Sequence, residues 1–578
     1  MTNTILWTEK VKLGRILDPL QISVLRSPEI HFLVGITGQT SRLRYYSFLT
    51  WAWKNIKEKN LIKSKRDKIL DLEKIASLMA AKHHIEKNDQ PTGIRNIQSA
   101  KDFLKSNENI RLDDFTSFGL HNRVGYGNYY YRGSLARLNI IGQKENEILV
   151  SPVANEIEST FKNSLKNSEE VFWKTSLKKT DLQTLEKSCI CKVPKEEQKL
   201  WRYVFFGFTK PSPTGAEFDL KNLDTIMVHD PDKLNFDFLK LDEDKYVLDD
   251  KNILEDLIES NVFEKGNFAS IMRTFSLMLI LEIISQSRPL YDGYNINHIF
   301  RDSIYYQQTL QPDNSITKIN FRKLQKFQKY WEVYVHNLYY ISVFEKTFTV
   351  LLGIAKNNPL GITMDSIISK INYNKILKII NSFGINVKLD NSINDSIKEI
   401  ENYFNGKKSN LNQKLNEHFL IQKIKESNEI EESFALIILL FLLCKYRFVT
   451  FDENSLRILK YKEHRHISIK PNMVYKDTEN LSIKNFLGWL LEFVKKQHRL
   501  ASAKKLVNSG TKGWLLTEED GIIYFYGKDY RFDPFPEGKL YVVLELLIDL
   551  GLVEYIIENE RTFFQITEEG QSWLKKLK

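Results

Sequence analysis

Residues 540–577 read LYVVLELLIDLGLVEYIIENERTFFQITEEGQSWLKKL, and their periodicity changes three times. Leu540 to Leu550 is apolar at helical spacing, and Gly551 stands where a helix C-cap is expected. Leu552 to Ile557 alternates as a strand, Glu558-Asn559-Glu560 turns, and Thr562 to Ile566 returns. Thr567 then caps a last helix through Leu577. Helix, hairpin and capped helix, in that order, is the C-terminal part of a winged helix.

The same rhythm occurs earlier in the chain. Tyr129 to Ile141 reads as a helix, and short strands at about Ile140–Lys144 and Glu147–Val150 flank a polar turn. Ser151-Pro152 restarts a helix, with proline at the first position, where its missing N–H costs nothing. LARLNII…VSPVANEIESTF thus aligns with LELLIDLGLVEY…ITEEGQSWLKKL, giving a winged-helix-like unit at about 94–168 and another at the end. Nothing between them repeats at a fixed period, so the chain is not a solenoid.

The whole chain of 578 residues exceeds one ordinary core. At roughly 100–200 residues per domain, about three to five domains or subdomains are expected. Candidate helices run about Lys195–Phe206, Asn267–Ser287, Phe321–Ala355, Ile393–Phe404, Glu417–Lys425, Glu432–Tyr446 and Ile483–Val507. The last precedes a hairpin, WLLTEEDGIIYFYG, turned at Asp520-Gly521. The expected fold class is therefore mainly α, a multi-domain helical body with winged-helix (α+β) modules near the N-terminus and at the C-terminus. The linear division is 1–168, a basic helical domain with its winged unit; 169–480, the helical body; and 481–578, the long helix, hairpin and C-terminal winged helix.

Composition excludes several classes. With 42% hydrophobic, 12% aromatic and 27% charged residues, the chain has the apolar surface to fold. Phe434 to Cys444 is an apolar run of eleven residues, against about twenty needed to cross a bilayer, and reads as a buried helix. The opening MTNTILWTEKVK lacks the pattern of a signal peptide. Three cysteines exclude a disulfide framework and fit a reducing cytoplasm, so a cytoplasmic protein away from membranes is expected.

Charge is the main pointer to a partner. The net charge is +10 and the isoelectric point near 9.0. Residues 1–68 hold 13 Lys/Arg against 5 Asp/Glu, so most of the excess sits in the first eighth of the chain. A helix beginning at Thr40-Ser41 has one apolar stripe, Leu43, Tyr46, Leu49, Trp53 and Ile56, with cations mainly off it. A second helix follows from about Lys68 to Glu86. Arg42, Arg44, Lys54, Lys57, Lys63, Lys65 and Arg66 form the leading candidate surface for DNA phosphates, which clustered cations bind by releasing counterions. Arg132 and Arg137 of the N-terminal winged unit suit a backbone or groove contact. Lys495 and Arg499, four apart on a helix with Lys496, His498, Lys504 and Lys505 nearby, make a third basic site. The alternative for each is a solvated face in a lysine-rich chain. The C-terminal winged helix offers Lys539, Glu545 and Asp549, which would repel phosphate, and reads as a structural or protein-docking module. Phe563 and Phe564 are consecutive on a strand and must point to opposite faces.

Catalytic signatures do not assemble. Pro231-Asp232 and Glu243-Asp244-Lys245 spell a nuclease motif, but charged neighbours replace the apolar residues of a buried strand. Glu217-Phe218-Asp219-Leu220-Lys221 has a better spacer but no partner acid. Gly35 to Ser41 has the glycines of a phosphate loop without its lysine. Cys189 and Cys191 form a lone CxC, and with only Cys444 elsewhere no four-cysteine zinc site can form. His83 and His84 are adjacent on a helix, diverge by about 100°, and argue against a shared metal. His464 and His466 alternate on a strand without a third ligand in supporting spacing. No catalytic residue, metal or cofactor is expected.

The run LRSPEIHFLVGITGQTSRLRYYSFLTWAW, residues 25–53, resembles the start of large uncharacterised bacterial proteins of antiviral-defence and mobile-element loci. Pro28, Gly35, Ile36, Thr37, Ser41, Arg42, Arg44, Tyr45, Tyr46 and Trp51 carry the resemblance, over about a tenth of the chain. It implies a DNA-facing role and no reaction. Winged units at both ends of a helical body also resemble the layout of kleisin-type subunits, which bridge SMC-like ATPases. The expected function is a DNA-binding, partner-docking component that contacts double-stranded DNA through its backbone and a second subunit such as an ATPase. The alternatives are a metal-dependent nuclease subunit and a winged-helix transcriptional regulator.

Overall fold

Gly551 ends the helix Leu540–Asp549 at φ +70°, a conformation that strains any residue with a Cβ. Its N–H and that of Leu552 return to the carbonyls of Ile548 and Leu547, satisfying the helix end. The chain continues as strand Val553–Glu558 and returns as Arg561–Ile566, in register from Val553↔Ile566 to Glu558↔Arg561. Thr567 Oγ1 accepts from the Gly570 N–H at 3.1 Å and caps Glu568–Lys575. Every element expected here is present. A third strand, Leu290–Tyr291, adds to the sheet antiparallel, placing Phe563 opposite Tyr291 and Phe564 opposite Leu290. Phe564 is buried and Phe563 half-buried, as their alternation requires.

The computed structural model describes residues 40–59, 65–87, 97–115, 131, 133–135, 138, 140–144, 147–150, 152–185, 188–206, 210–211, 217–218, 267–287, 290–291, 296–311, 315–321, 324–452, 456, 470–509, 514–526, 540–558 and 561–575, with Leu20, Leu33, Gly35 and Ile36. It is mainly helical, with small sheets. Two compact units are built from interleaved segments. One takes Glu29–Phe300, Ile319–Phe327 and Glu537–Lys578; the other takes Met1–Pro28, Arg301–Lys318 and Gln328–Pro536. The linear division at about 168 and 480 does not separate them. A boundary read from composition assumes that a chain leaving a domain does not return, and this chain returns.

In the unit that holds the C-terminus, the helix Leu43–Glu58 is the centre of the core. Its first residue follows Arg42, not a Thr40 or Ser41 cap, and Arg42 makes no side-chain cap. The expected single apolar stripe is also corrected: Arg44, Tyr45, Ser47, Thr50 and Asn55 are buried along with the stripe. Aromatic residues on every face explain this, since a helix apolar all round must be enclosed. Tyr46 packs on Trp201 at 5.4 Å between ring centroids and on Tyr131 at 4.8 Å, and Trp51 packs on Phe172 at 5.1 Å. The expected hairpin pairs Ile141–Lys144 with Glu147–Val150, and Pro152–Leu165 follows as a helix. The helix Lys65–Lys87 overruns its expected bounds slightly at both ends.

In the other unit the long helices are Ile430–Phe448, Ile483–Ser509 and most of Gln325–Lys356. Ile430–Phe448 is buried without a break from Ser433 to Arg447, so the apolar run within it is a core helix. The helix Phe327–Lys356 is long and apolar enough to cross a membrane, but 78% of its most apolar window is buried inside the protein. Shorter helices fill the rest, including Met364–Lys370, Tyr373–Ser382 and Pro471–Thr478, which the sequence reading missed. Asp520 and Gly521, at φ +48° and +78°, make the tight turn joining Leu516–Glu519 to Ile522–Phe525. Ile362–Thr363 adds the third strand.

Candidate functional site

The cations that open the helix Leu43–Glu58 turn inward. Arg42 Nη1 lies 3.4 Å from Asp549 Oδ1 and 3.7 Å from Glu545 Oε2, and Nη2 donates to the Cys191 carbonyl at 2.5 Å. Against the cost of burial, Asp549 and Glu545 hold its guanidinium above the ordinary value. Arg44 is fully buried, ion-paired with Glu197, and donates to Ser164 Oγ at 2.6 Å. Burial pushes Arg44 down and Glu197 up, each opposed by the other's charge. Lys54 pairs with Glu158 at 2.9 Å. Arg42 and Arg44 are thus spent inside the protein, since a buried charge persists only when paired, and the half-buried Lys54 is held by its acid partner.

The remaining candidates divide. Lys57 is exposed. Lys65 and Arg66 begin the helix Lys65–Lys87, with side chains outside the described residues, and Lys63, Arg132 and Arg137 also lie outside them. On the helix Ile483–Ser509, Lys495 is held by Glu492 at 3.0 Å and Glu518 at 2.8 Å. Lys496 is exposed, and Arg499 keeps 71% of its side-chain surface while 3.8 Å from Glu518. His498 is buried, and its Nε2 accepts from the N–H groups of Leu515 and Leu516 at 3.0 and 3.3 Å. Asp232, Glu243, Lys245, His464 and His466 lie outside the described residues.

Beside Arg42 the fold assembles four side chains that the sequence reading kept apart. His83 and His84 end the helix Lys65–Lys87, and Cys189 and Cys191 lie on the turn before Lys195–Phe206. Cys191 Sγ is 3.4 Å from His83 Nδ1, and the Cys191 N–H donates to Cys189 Sγ at 3.5 Å. One ligand atom from each of the four lies within 4.8 Å of all the others. His83, His84 and Cys189 are buried and Cys191 half-buried. The expectation that adjacent histidines diverge too far is corrected. Their Cα–Cβ bonds diverge, but the rings swing back to centroids 4.7 Å apart with planes at 51°. The bond shared by the two thiols splits them: with help from His84, it holds Cys191 below the ordinary thiol range. The same bond and burial push Cys189 above it.

The other unit has its own buried polar cluster. Arg447 Nη2 donates to Glu332 Oε1 at 2.9 Å and to the Tyr305 carbonyl, and its guanidinium sits 3.7 Å from the centre of the Tyr305 ring. Glu417 accepts from the hydroxyls of Tyr305 at 3.0 Å, Tyr306 at 2.9 Å and Ser409 at 2.7 Å. The Tyr305 hydroxyl has one proton and gives it to Glu417, so His336 Nδ1, 3.2 Å away, is the protonated nitrogen. Burial, with Arg447 and Lys408 nearby, lowers His336 to about 3 and keeps it neutral. None of these residues was singled out by sequence reading, because helical spacing does not signal a network joining several helices.

No protein family, curated protein or solved structure matches the chain.

Proposed function

We propose that the protein is a non-enzymatic, DNA-binding and partner-docking component of a bacterial complex, with the kleisin-like layout of winged-helix units at both ends of a helical body. The location of its charge carries this reading. Among the described residues, seven Lys/Arg and ten Asp/Glu are buried, so the interior is acidic on balance. With a formal charge of +10 over the whole chain, the residues other than these carry a net +13, the excess proposed to meet phosphates. The cations proposed to do so are Lys57 with Lys63, Lys65 and Arg66, and separately Lys496 with Arg499; Arg42, Arg44 and Lys54 are withdrawn from the set. Within the C-terminal unit, Glu545 and Asp549 are turned toward Arg42, which supports a structural rather than a base-reading role for that module. The second subunit that the layout calls for is an SMC-like ATPase, and defence against invading DNA is the setting proposed from residues 25–53.

Fluorescence anisotropy with a labelled duplex of mixed sequence tests the reading. Binding should show little sequence preference and fall steeply between about 50 and 200 mM salt. Replacing Lys57, Lys63, Lys65 and Arg66 with Gln should weaken binding and flatten the salt slope, by about 0.9 for each phosphate no longer neutralised. Replacing Arg44 with Gln should instead destabilise the fold. No duplex binding at low salt would overturn the proposal.

A further inference from the structure

We propose that His83, His84, Cys189 and Cys191 bind one zinc ion, as a closed structural centre that ties the helix Lys65–Lys87 to the turn before Lys195–Phe206. Two sulfurs and two imidazole nitrogens are a donor set that zinc takes in tetrahedral geometry. With Zn–S at about 2.3 Å and Zn–N at about 2.0–2.1 Å, ligand atoms in such a site stand about 3.3–3.8 Å apart. The His83 Nδ1–Cys191 Sγ separation of 3.4 Å is already that of a bound pair. The widest separation allowed in the group, 4.8 Å, needs a contraction of about 1 Å, within reach of side-chain rotation.

The surroundings fit a structural rather than a catalytic site. Four protein ligands leave no open position for water or substrate. His83, His84 and Cys189 are buried. The groups around the ligands also hold them: the Cys191 N–H points at Cys189 Sγ, and Arg42 Nη2 fixes the Cys191 carbonyl at 2.5 Å. His83 and Cys191 are 108 positions apart in sequence. An ion between them would close a long loop, which is where a cross-link constrains the unfolded chain most. The ligand pattern, adjacent histidines with a CxC, departs from the C-x₂₋₄-C and H-x₃₋₅-H spacings of common zinc fingers. Two segments brought together by folding therefore replace two short-range pairs.

The test is metal content. Full-length protein without a polyhistidine tag, supplied with zinc chloride and then dialysed, should hold one zinc per chain by mass spectrometry. A Cys189→Ser, Cys191→Ser double variant should hold none. Because that variant risks misfolding, cobalt substitution of the native protein provides a second readout. It should give the intense visible bands of a tetrahedral ion and a near-ultraviolet sulfur-to-cobalt charge-transfer band. Removing zinc with a chelator should lower the melting temperature by about 5–15 °C, reversed on adding zinc back. Three results would each overturn the proposal: native protein with no more zinc than the double variant, a folded double variant that retains its zinc, or a Cys189–Cys191 disulfide in reduced, zinc-treated protein.

Discussion

Asp549 accepts the Leu43 N–H at 2.8 Å and stands 3.4 Å from Arg42, so one carboxylate near the C-terminus both caps and neutralises a helix that begins 506 residues earlier. A capping acid ordinarily comes from the residue before the helix. Here it is delivered by tertiary structure, and its charge also suits the positive end of the helix dipole. Asp549, expected from sequence to repel phosphate, thereby has a task inside the fold.

Replacing Asp549 with Ala should cost about 3–5 kcal/mol, because Arg42 is left buried with weaker compensation and the Leu43 N–H loses its acceptor. Asp549→Asn keeps an oxygen for the amide and should cost less. Chemical denaturation reads both, and equal stability of the alanine variant and the native protein would show that the pair does not matter.

Deleting residues 540–578 removes contacts that earlier segments of the same unit depend on. Arg202 Nη1 loses Glu569 at 2.7 Å, its Nε loses the Leu550 carbonyl at 2.7 Å, and Phe206 loses Trp573 at 4.8 Å between ring centroids. The truncated chain should be cleaved within 40–206 by trace protease at concentrations that leave the full chain intact. A truncation that stays resistant would mean the first segments fold without their C-terminal cover.

His336 gives the other unit a defined response to acid. Its folded value of about 3 lies below the ordinary 6.5, so folding favours the neutral ring. That contribution is complete above pH 6.5 and is lost as pH falls toward 3. His336→Gln keeps a donor toward Tyr305 and cannot titrate. The native protein should therefore lose stability relative to the variant across this range, by up to about 5 kcal/mol. Parallel stability curves for the two proteins would refute a neutral buried histidine.

Purified protein with magnesium or manganese should leave plasmid, linear duplex and single-stranded DNA intact. Cleavage that disappears on changing Asp232, Glu243 or Lys245 to Ala would restore the nuclease reading.

Local chemistry was legible in the sequence, and long-range pairing was not. Thr567, Gly551 and Asp520-Gly521 act where caps and turns were expected, because each works through backbone atoms a few residues away. Arg42 and Arg44 were read as surface because they lie off an apolar stripe. Tyr45, Phe48 and Trp51 on the other faces held the contrary signal, of a helix enclosed on all sides. The third strand at Leu290–Tyr291 is too short to announce itself by alternation. The His83, His84, Cys189 and Cys191 group carries no spacing rule at all, since tertiary folding alone joins its halves.

The dependence of Leu43 on Asp549 also sets an order of events during synthesis. At roughly 5–20 residues per second, a ribosome that has made Leu43 needs about 25–100 s more to reach Asp549. Throughout that interval Arg42 is without its carboxylate partners, and the aromatic core around it lacks its C-terminal cover. The intervening segments of the other unit, Arg301–Lys318 and Gln328–Pro536, emerge first. Completion of the core around Leu43 thus waits for residues made 506 positions later, and a nascent chain stalled before residue 549 presents that core to chaperones or proteases.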